Sequence, residues 1–375
     1  MKKVLIIAYH FPPAGTGGVG RALGWVRHLP AAGWQPSVLA APPHPNWPFD
    51  RTLEAQIPEG TMIRRVASPD PRPSRWRGIE QRELSFFWRG AAYQEATRML
   101  ASEPHDLILA TAPPPVAHAV ASRLAQAFNL PWVADFRDPW GVRAPALWRR
   151  WRRNVYLKNA AAVVAVNDTL GAHVRAECRR EVVTVHNGFE PDEMPVDVTR
   201  EPRRVAFLGT LSKFNDFDAL FAALARQGGE FLHIGAERRY NLRERALRAG
   251  LARVVSAGYL PRAKALELAA TASVFVLSLK PDLELAVSAK TFDYIGLGGP
   301  VLCLGEEGAL AEFVRQRPKL GKVVAAQSAP AIDLALAEMF GSRPCFPPEQ
   351  RACFARSHLA RELARVLDFA CGGRL

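Results

Sequence analysis

A glycine-rich loop near the start of the chain is the first feature whose residues could do chemistry. Gly15, Gly17 and Gly20 have the spacing G-x-G-x-x-G, which binds a dinucleotide pyrophosphate when it joins a strand directly to a helix. Here Gly15 follows Tyr9 by six residues, two of them prolines, and the first acid in the chain is Asp50. The carboxylate that should bind a ribose about 20 residues later is missing. The loop predicts an anion near the helix start without a nicotinamide cofactor, and a turn that needs glycine only for its backbone is the alternative.

A second glycine turn lies in the C-terminal half and is followed by a lysine. The segment RRVAFLGTLSKFND (203–216) predicts a strand, a turn at Gly209 and then a helix, with Lys213 just before the helix. A glycine lets a diphosphate approach the backbone, and a lysine neutralises it as a point charge. A surface lysine without a ligand is the alternative for this segment taken alone.

A predicted helix with an aspartate follows in the segment SAKTFDYIGLGGPVLCLG (288–305). Asp293 lies on this helix, which opens near Ala289 and ends before a Gly-Gly-Pro turn. Open parallel sheets bind ligands at the carboxyl ends of their strands, and a carboxylate there can accept both hydroxyls of a ribose. An exposed helix aspartate is the alternative.

The segment DFRDPW (135–140) and two histidines supply polar groups in the first half. Asp135, Arg137 and Asp138 could orient an acceptor hydroxyl or hold a donor sugar, and an Asp–Arg pair that braces the loop is the alternative. His10 follows the first predicted strand and is placed on the acceptor side. His118 opens a helix and is placed there too, with packing in the core as its alternative.

Short apolar runs that alternate with helix-period segments predict two doubly wound α/β domains. The series restarts near residue 203, after the Pro- and acid-rich segment 190–202. We therefore predict an N-terminal domain over 1–190, joined by a C-terminal helix assigned to 350–375 with a helical pattern over 348–367, and a second domain over 191–349. The predicted strands are 4–8, 37–40, 62–66, 107–111, 132–135, 162–166 and 182–185, then 204–208, 231–234, 254–257, 274–277, 301–304 and 322–325.

Charge and composition indicate an anionic partner and a reducing compartment. The chain has 375 residues, a net charge of +13 and five cysteines without paired spacing. Two segments rich in basic and aromatic residues, 146–160 and 71–90, suit an anionic membrane surface, and a helix with its arginines in water is the alternative. No nucleic-acid module is recognisable. No apolar run approaches the ~20 residues that span a bilayer, so a cytoplasmic location is expected.

Six motifs in order resemble the family-4 retaining glycosyltransferases of the GT-B fold, over nearly the whole chain. They are FPP…GG (11–18), TAPPPVAHAVASRLAQAFNLPWVADFRDPW (111–140), HNGF (186–189), FLGTLSK (207–213), VVSAGYLPRAKALELAATASVFVLSL (254–279) and AKTFDYIGLGGPVL (289–302). The segment 111–140 is similar to a subgroup among bacterial surface-polysaccharide transferases. The resemblance implies two Rossmann-like domains that face a central cleft.

The resemblance also implies an activity, transfer of a sugar from a nucleotide-diphosphate sugar with retained configuration and without a metal or other cofactor. A glycan or lipid-linked acceptor in polysaccharide or lipopolysaccharide assembly would be the partner, at the inner face of the cell membrane. A nucleotide-sugar epimerase or hydrolase of the same fold, or a binding module without activity, is the alternative. The residues assigned to the donor are Gly17, Gly18, Gly209, Lys213, Glu284, Ser288, Lys290 and Asp293, and those assigned to catalysis are Lys213, Asp135, Arg137 and Asp138.

One position departs from the family pattern. Many members carry an acid near the donor sugar, ahead of the ribose-binding acid, and Leu285 stands eight residues before Asp293. Glu284 and Asp282 are adjacent and could substitute after a local shift.

Overall fold

The computed structural model describes residues 1–15, 18–43, 49–67, 80–139, 155–278, 284–342 and 345–372, with the backbone alone over 80–87. The chain divides into two compact units. The first contains Met1–Asn187 and Arg356–Leu375, and the second contains Gly188–Ala355. The domain boundaries expected from the sequence lie a few residues from these divisions.

The first unit is built on a parallel sheet that has seven strands over the described residues. Its spatial order is 3-2-1-4-5-6-7. The first and fourth strands are neighbours, so the strand order reverses between them, which is where open α/β sheets bind ligands. The strands are β1 (Lys2–Ala8), β2 (Trp34–Ala40), β3 (Ile63–Arg65), β4 (Leu107–Ala112), β5 (Trp132–Phe136), β6 (Ala162–Ala165) and β7 (Val183–Thr184).

Helices follow most of these strands and cover the sheet. The central strands β1, β4 and β5 are apolar on both faces and buried along nearly their whole length, as expected for strands between helical layers. The helices are α1 (Val19–His28), a 3-10 helix (Pro30–Ala32), α2 (Arg51–Glu54), α3 (Glu80–Ser102), α4 (Val116–Phe128) and α5 (Asp168–Cys178).

The second unit repeats this plan with a parallel sheet that has six strands over the described residues. Its order is β12-β10-β8-β13-β14-β15, and β9 pairs with β11 separately. The order reverses between β8 and β13, so the ligand edge of this sheet is where β8 ends. The strands are β8 (Arg204–Leu208), β9 (Leu211–Ser212), β10 (Glu230–Ile234), β11 (Glu237–Arg238), β12 (Val254–Ser256), β13 (Val274–Ser278), β14 (Val301–Leu304) and β15 (Gly321–Val324).

A short 3-10 helix precedes the second sheet, and helices follow its strands. The 3-10 helix is Pro191–Glu193, within the segment predicted as a linker. The helices are α6 (Asp218–Arg226), α7 (Leu242–Arg248), α8 (Arg262–Ala270), α9 (Ala289–Leu297), α10 (Gly308–Arg315) and α11 (Ala329–Ser342). The predicted fold class, two doubly wound Rossmann-like domains, is confirmed.

The prediction of one continuous C-terminal helix was wrong. The chain forms α12 (Pro348–Ala352) and α13 (Arg356–Ala370), and the division between the units falls between them. Phe354 is buried in the core of the second unit, and its carbonyl accepts a hydrogen bond from the backbone N–H of Phe189 at 3.1 Å. That carbonyl is therefore used between segments and not within a helix.

The last glycine of the G-x-G-x-x-G pattern has a packing role within the first unit. A Cβ on Gly20 would lie 2.5 Å from Nη2 of Arg356, and one on Gly24 would lie 2.7 Å from Cδ of the same side chain. Both glycines therefore make room on α1 for the first residue of α13. Packing against Arg356 is therefore sufficient to explain both glycines, and no bound ligand is needed to account for them.

Candidate functional site

Arg137 joins the loops that follow three neighbouring strands of the first unit. Its Nη1 donates to the carbonyl of Gly18 at 2.7 Å, and its Nη2 donates to the carbonyl of Pro113. Its backbone N–H donates to the carbonyl of Ala112 at 2.8 Å. A Cβ on Gly18 would lie 1.8 Å from Nη1, so a side chain there would displace the guanidinium. Gly17 lies outside the described residues.

Asp135 forms a buried ion pair with Arg21. Nε and Nη2 of Arg21 donate to its two carboxylate oxygens at 2.9 and 2.8 Å. The Arg21 side chain is 3% exposed and the Asp135 side chain is 1% exposed. Burial raises the pKa of Asp135, but the charge and hydrogen bonds of Arg21 outweigh it, so the pKa lies below its ordinary value. Both oxygens are engaged within the unit, which favours the bracing alternative for the Asp–Arg pair.

Arg21 also reaches the HNGF motif. Its Nη1 donates to the carbonyl of His186 at 2.8 Å and lies 3.4 Å from Oδ1 of Asn187. Its guanidinium stands 4.7 Å from the centre of the Trp25 ring. One arginine on α1 thus connects the end of β5 to the segment at which the N-terminal part of the first unit ends.

Asp138 lies half-buried beside this cluster. Burial lowers the pKa of Arg137, and the negative charges of Asp138 and Asp135 oppose that shift. The three residues predicted for catalysis in this unit therefore form one electrostatic group with Arg21.

The two histidines predicted on the acceptor side differ in their surroundings. His118 is 0% exposed, and its Nε2 lies 3.0 Å from the carbonyl of Ala110 and 3.1 Å from that of Asp135. Burial lowers the pKa of His118 to about 4, so the ring is neutral and donates from Nε2 between β4 and β5. These contacts favour the packing alternative. His10 is half-buried, and burial together with the charge of Arg137 lowers its pKa to about 3.

Replacing His118 by glutamine is expected to reduce the acid sensitivity of the first unit. The pKa of His118 is about 4 when folded and 6.5 ordinarily. Neutral His118 therefore stabilises the fold fully above pH 6.5, and this contribution is lost as the pH falls toward 4. The wild type should lose about 3 kcal/mol relative to His118→Gln across that window. Urea unfolding followed by tryptophan fluorescence at pH 7, 5.5 and 4.5 measures the difference, and parallel curves for the two proteins would contradict it.

The end of β8 in the second unit is a glycine turn held by the neighbouring strand. Gly209 and Gly235 have φ angles of +118° and +146°, which favour glycine. A Cβ on Gly235 would lie 2.3 Å from the carbonyl oxygen of Gly209, and Nε2 of His233 donates to that oxygen at 2.9 Å. The N–H of Gly209 donates to the carbonyl of Ile234 at 2.8 Å. Gly209 therefore permits close approach to the backbone but has no free donor of its own.

Lys290 is brought to this turn by α9. Its Nζ lies 3.8 Å from the centre of the Phe207 ring, and a Cβ on Gly209 would lie 3.0 Å from it. Tyr294, one turn further along, accepts a hydrogen bond at its hydroxyl from the N–H of Leu208 at 2.9 Å. Two residues predicted for the donor, 81 positions apart, thus meet at the ligand edge of the sheet. An ammonium near a helix start and a glycine turn suits a phosphate.

Lys213 comes shortly after the end of β8, in a turn that follows β9. Oδ1 of Asn215 accepts a hydrogen bond from the N–H of Ser212 at 3.0 Å, and Asn215 is 1% exposed. The turn is therefore held by the buried Asn215 side chain, whereas the Lys213 side chain is exposed beside Phe214, with 5.2 Å between Nζ and the ring centre. This arrangement leaves a cation that can follow a ligand.

Asp293 is engaged by an arginine that the sequence did not single out. Nη2 of Arg262 donates to Oδ1 of Asp293 at 2.8 Å, and Nη1 lies 3.4 Å from Oδ2. Nε of Arg262 donates to Oε2 of Glu193 at 2.7 Å. The alternative of an exposed helix aspartate is therefore wrong, because Asp293 is buried in an ion-pair network.

Glu284 and Ser288 lie just before α9. Glu284 has an exposed side chain, and its carbonyl accepts the N–H of Ala309 at 2.6 Å at the start of α10. Ser288 is the N-cap residue of α9, and its Oγ lies 3.1 Å from Oγ1 of Thr291. Both residues stand near the helix start, and the Glu284 carboxylate is available to solvent.

The two segments predicted to suit a membrane surface lie largely outside the described residues. Residues 140–154 and 68–79 are outside the described residues, so the predicted basic and aromatic surfaces within 146–160 and 71–90 are not placed. Over the described parts of the chain, no helix combines the length and apolarity needed to cross a bilayer.

Three residues in these clusters were missed by sequence reasoning, and only one had a usable signal. His233 is a polar residue inside the apolar strand EFLHI, which is a sign of a specific buried partner. Arg21 and Arg262 stand at the beginnings of helices, and nothing local distinguishes them from solvent-exposed arginines.

Comparisons with known proteins agree with this architecture. The family model described as a glycosyl transferase 4-like domain matches residues 16–188, just under half of the chain and almost wholly in the first unit. None of the curated protein sequences compared with the chain matches it.

Several solved structures share the fold over both units. HepE from Anabaena, in complex with UDP and glucose, has a TM-score of 0.71 and 14% identity, over 98% of this chain and 100% of that chain. The lipopolysaccharide outer core galactosyltransferase WaaB has a TM-score of 0.65 and 11% identity, over 98% and 99%. AviGT4, a glycosyltransferase involved in avilamycin A biosynthesis, has a TM-score of 0.62 and 14% identity, over 100% and 99%.

These likenesses define the class of the fold. The chain has the two-domain architecture of the GT-B glycosyltransferases, as predicted, and its first unit carries the match to a glycosyl transferase 4-like domain.

Proposed function

We propose that the chain is a glycosyltransferase that takes a sugar from a nucleotide-diphosphate sugar. The observation that carries the proposal is the position of Lys290 beside Gly209, at the point where the strand order of the second sheet reverses. The match of residues 16–188 to a glycosyl transferase 4-like domain supports the same reading from the sequence.

The second unit supplies groups that suit the leaving diphosphate. When the bond between the anomeric carbon and the phosphate oxygen breaks, negative charge develops on that oxygen. Lys290 is held near the glycine turn and Lys213 is exposed a few residues after it in the chain, so both cations can stabilise this charge. The acceptor hydroxyl forms the new bond to the anomeric carbon, and its proton passes to the departing phosphate. Retention requires attack on the face that the diphosphate leaves.

We further propose a uridine diphosphate sugar as the first donor to test and a surface glycan or lipid-linked sugar as the acceptor. HepE binds UDP and UDP-glucose, and WaaB is a lipopolysaccharide galactosyltransferase. The net charge of +13 supports work at an anionic surface, such as the inner face of the cell membrane. The group formed by buried Arg21, Asp135 and Arg137 and half-buried Asp138 would then shape the acceptor side of the first unit.

Nucleotide binding is the first test. Thermal unfolding of the full chain is measured with UDP, GDP, ADP and NAD, each at the same concentration. Stabilisation by one nucleoside diphosphate supports the proposal, since a ligand that binds only the folded state raises the unfolding temperature. Stabilisation by NAD alone would overturn it.

Turnover is the second test. The sugar form of the selected nucleotide is incubated with the protein and a membrane lipid extract. Transfer predicts a glycosylated product that forms only with the extract, and its anomeric configuration reports on retention. Release of free sugar or an epimerised donor without any acceptor would assign the chain to a hydrolase or epimerase, and binding without turnover to a binding module.

A further inference from the structure

We propose that Arg262 is a positioning residue: it fixes the Asp293 carboxylate, which the sequence resemblance already assigns to the ribose, and the preference for nucleotides with intact 2′- and 3′-hydroxyls depends on it. This inference rests on the proposed function, because it needs a nucleotide donor at the ligand edge of the second sheet. Neither Arg262 nor Glu193 touches the nucleotide in this proposal.

The geometry places Arg262 between two carboxylates from different elements. It is the first residue of α8, Asp293 lies on α9, and Glu193 ends the 3-10 helix that precedes the sheet. The distances are 2.8 Å from Nη2 to Asp293 and 2.7 Å from Nε to Glu193. The planar guanidinium therefore sets the relative orientation of both acids.

The position is an unfavourable one for an isolated cation. The N-terminus of a helix carries partial positive charge, and the Arg262 side chain is only 23% exposed. Burial lowers its pKa, but the charges of Asp293 and Glu193 outweigh this and raise the pKa above its ordinary value. The arginine is held there by the two carboxylates, so removing it leaves two acids facing each other.

The Asp293 carboxylate keeps acceptor capacity beside its arginine. An ionised carboxylate has about four lone-pair sites, and Nη2 of Arg262 donates to one oxygen at 2.8 Å while Nη1 lies 3.4 Å from the other. The remaining sites can accept further hydrogen bonds, and a neutral diol provides two donors without adding charge. A second anion near Asp293 would be repelled by its negative charge.

The spacing along α9 fits one nucleotide. Lys290 and Asp293 are three residues apart, so their side chains leave the helix on the same side, about 4.5 Å apart along its axis. A diphosphate next to Lys290 would place the ribose attached to it near Asp293. The positions of Lys290 at Gly209 and of Asp293 at Arg262 are thus compatible with a single ligand.

The test compares two probes that differ only in the ribose hydroxyls. Dissociation constants of UDP and 2′,3′-dideoxy-UDP are measured by calorimetry for the full-length wild type, or of the matching pair with the base that the nucleotide screen selects. The wild type should bind the intact ribose about tenfold or more tightly, as expected for hydrogen bonds to a charged acceptor. In Arg262→Met this ratio should fall toward one, mostly through weaker binding of the intact nucleotide.

Two further variants separate positioning from simple support of the fold. Arg262→Lys keeps the charge without the fork of donors, and we expect an intermediate ratio. Arg204→Met is the matched control, since Arg204 also forms a half-buried pair, with Glu230, at the amino end of β8. It should keep the wild-type ratio even if it lowers the unfolding temperature.

Three results would overturn the inference. If Arg262→Met binds both nucleotides more weakly by the same factor, Arg262 has only a structural role. The same holds if the ratio of the two dissociation constants is unchanged in both Arg262→Lys and Arg262→Met. In both cases the wild type still binds a nucleotide, so the proposed function survives. If the wild type binds no nucleoside diphosphate, the proposed function fails as well.

Discussion

Replacing Arg21 by methionine should lower the free energy of unfolding of the first unit by about 3–5 kcal/mol, because it leaves the Asp135 carboxylate buried without its partner. Asp135 is 1% exposed, and both of its oxygens accept hydrogen bonds from Arg21. Methionine fills similar volume but donates nothing. The loss should be largest at neutral pH, where Asp135 is ionised, and smaller in acid, where the carboxyl group can protonate.

The chain provides a selective probe for this measurement. All nine tryptophans lie between Trp25 and Trp151, within the first unit, and the second unit has none. Urea unfolding followed by tryptophan fluorescence therefore reports on the first unit. Trp25 stacks with Arg21, so circular dichroism of the same samples checks that the signal change is unfolding and not a local effect.

Two controls sharpen the result. Arg27 lies on the same helix, and its Nη1 donates to Oε1 of Gln56 at 3.2 Å at a half-buried site. Arg27→Met should lower the free energy of unfolding by less than about 1 kcal/mol. Arg21→Met combined with Asp135→Asn removes the stranded charge and should recover part of the lost stability. If Arg21→Met unfolds at the same urea concentration as the wild type, Arg21 and Asp135 do not form the pair described here.

The fold could be predicted from the sequence because parallel strands are buried on both faces. The run from Val4 to Ala8 and the run from Leu107 to Thr111 are apolar at nearly every position, which separates them from amphipathic helices. Glycine turns such as the one at Gly209 mark where a strand ends. These are local signals, so they appear in the sequence directly.

The contacts of the site could not be predicted in the same way. Arg21 and Asp135 are 114 residues apart, and Arg262 and Asp293 are 31 apart. They meet because of the order of strands in each sheet, which is set by packing of the whole unit. In the sequence, an aspartate near the end of a strand or in the first turns of a helix is equally compatible with a ligand-binding group and with half of an ion pair. Only the partner decides, and in both units the partner is an arginine at a helix start.

Replacing Lys290 by methionine should reduce kcat/KM for sugar transfer by about 10²–10³, the loss that follows removal of one group that stabilises transition-state charge. The Lys290 ammonium is held by the Phe207 ring at 3.8 Å and stands over the glycine turn at the end of β8. The charge on the leaving phosphate grows as the glycosidic bond breaks. The fall should therefore be greater in kcat than the rise in KM for the donor.

Lys264→Met is the matched control, since Lys264 is an exposed lysine on α8 and should leave kcat/KM unchanged. Initial rates at several donor concentrations separate kcat from KM, and thermal unfolding confirms that each variant is folded. A value for Lys290→Met within about threefold of the wild type would show that its ammonium does not act on the diphosphate. Lys213 is then the other lysine predicted to bind the donor near the end of β8 in the described part of this unit. Its side chain is exposed, and its turn is held by Asn215. Lys213→Met should then lower kcat/KM instead. If neither variant lowers kcat/KM, this edge of the sheet does not bind the phosphates.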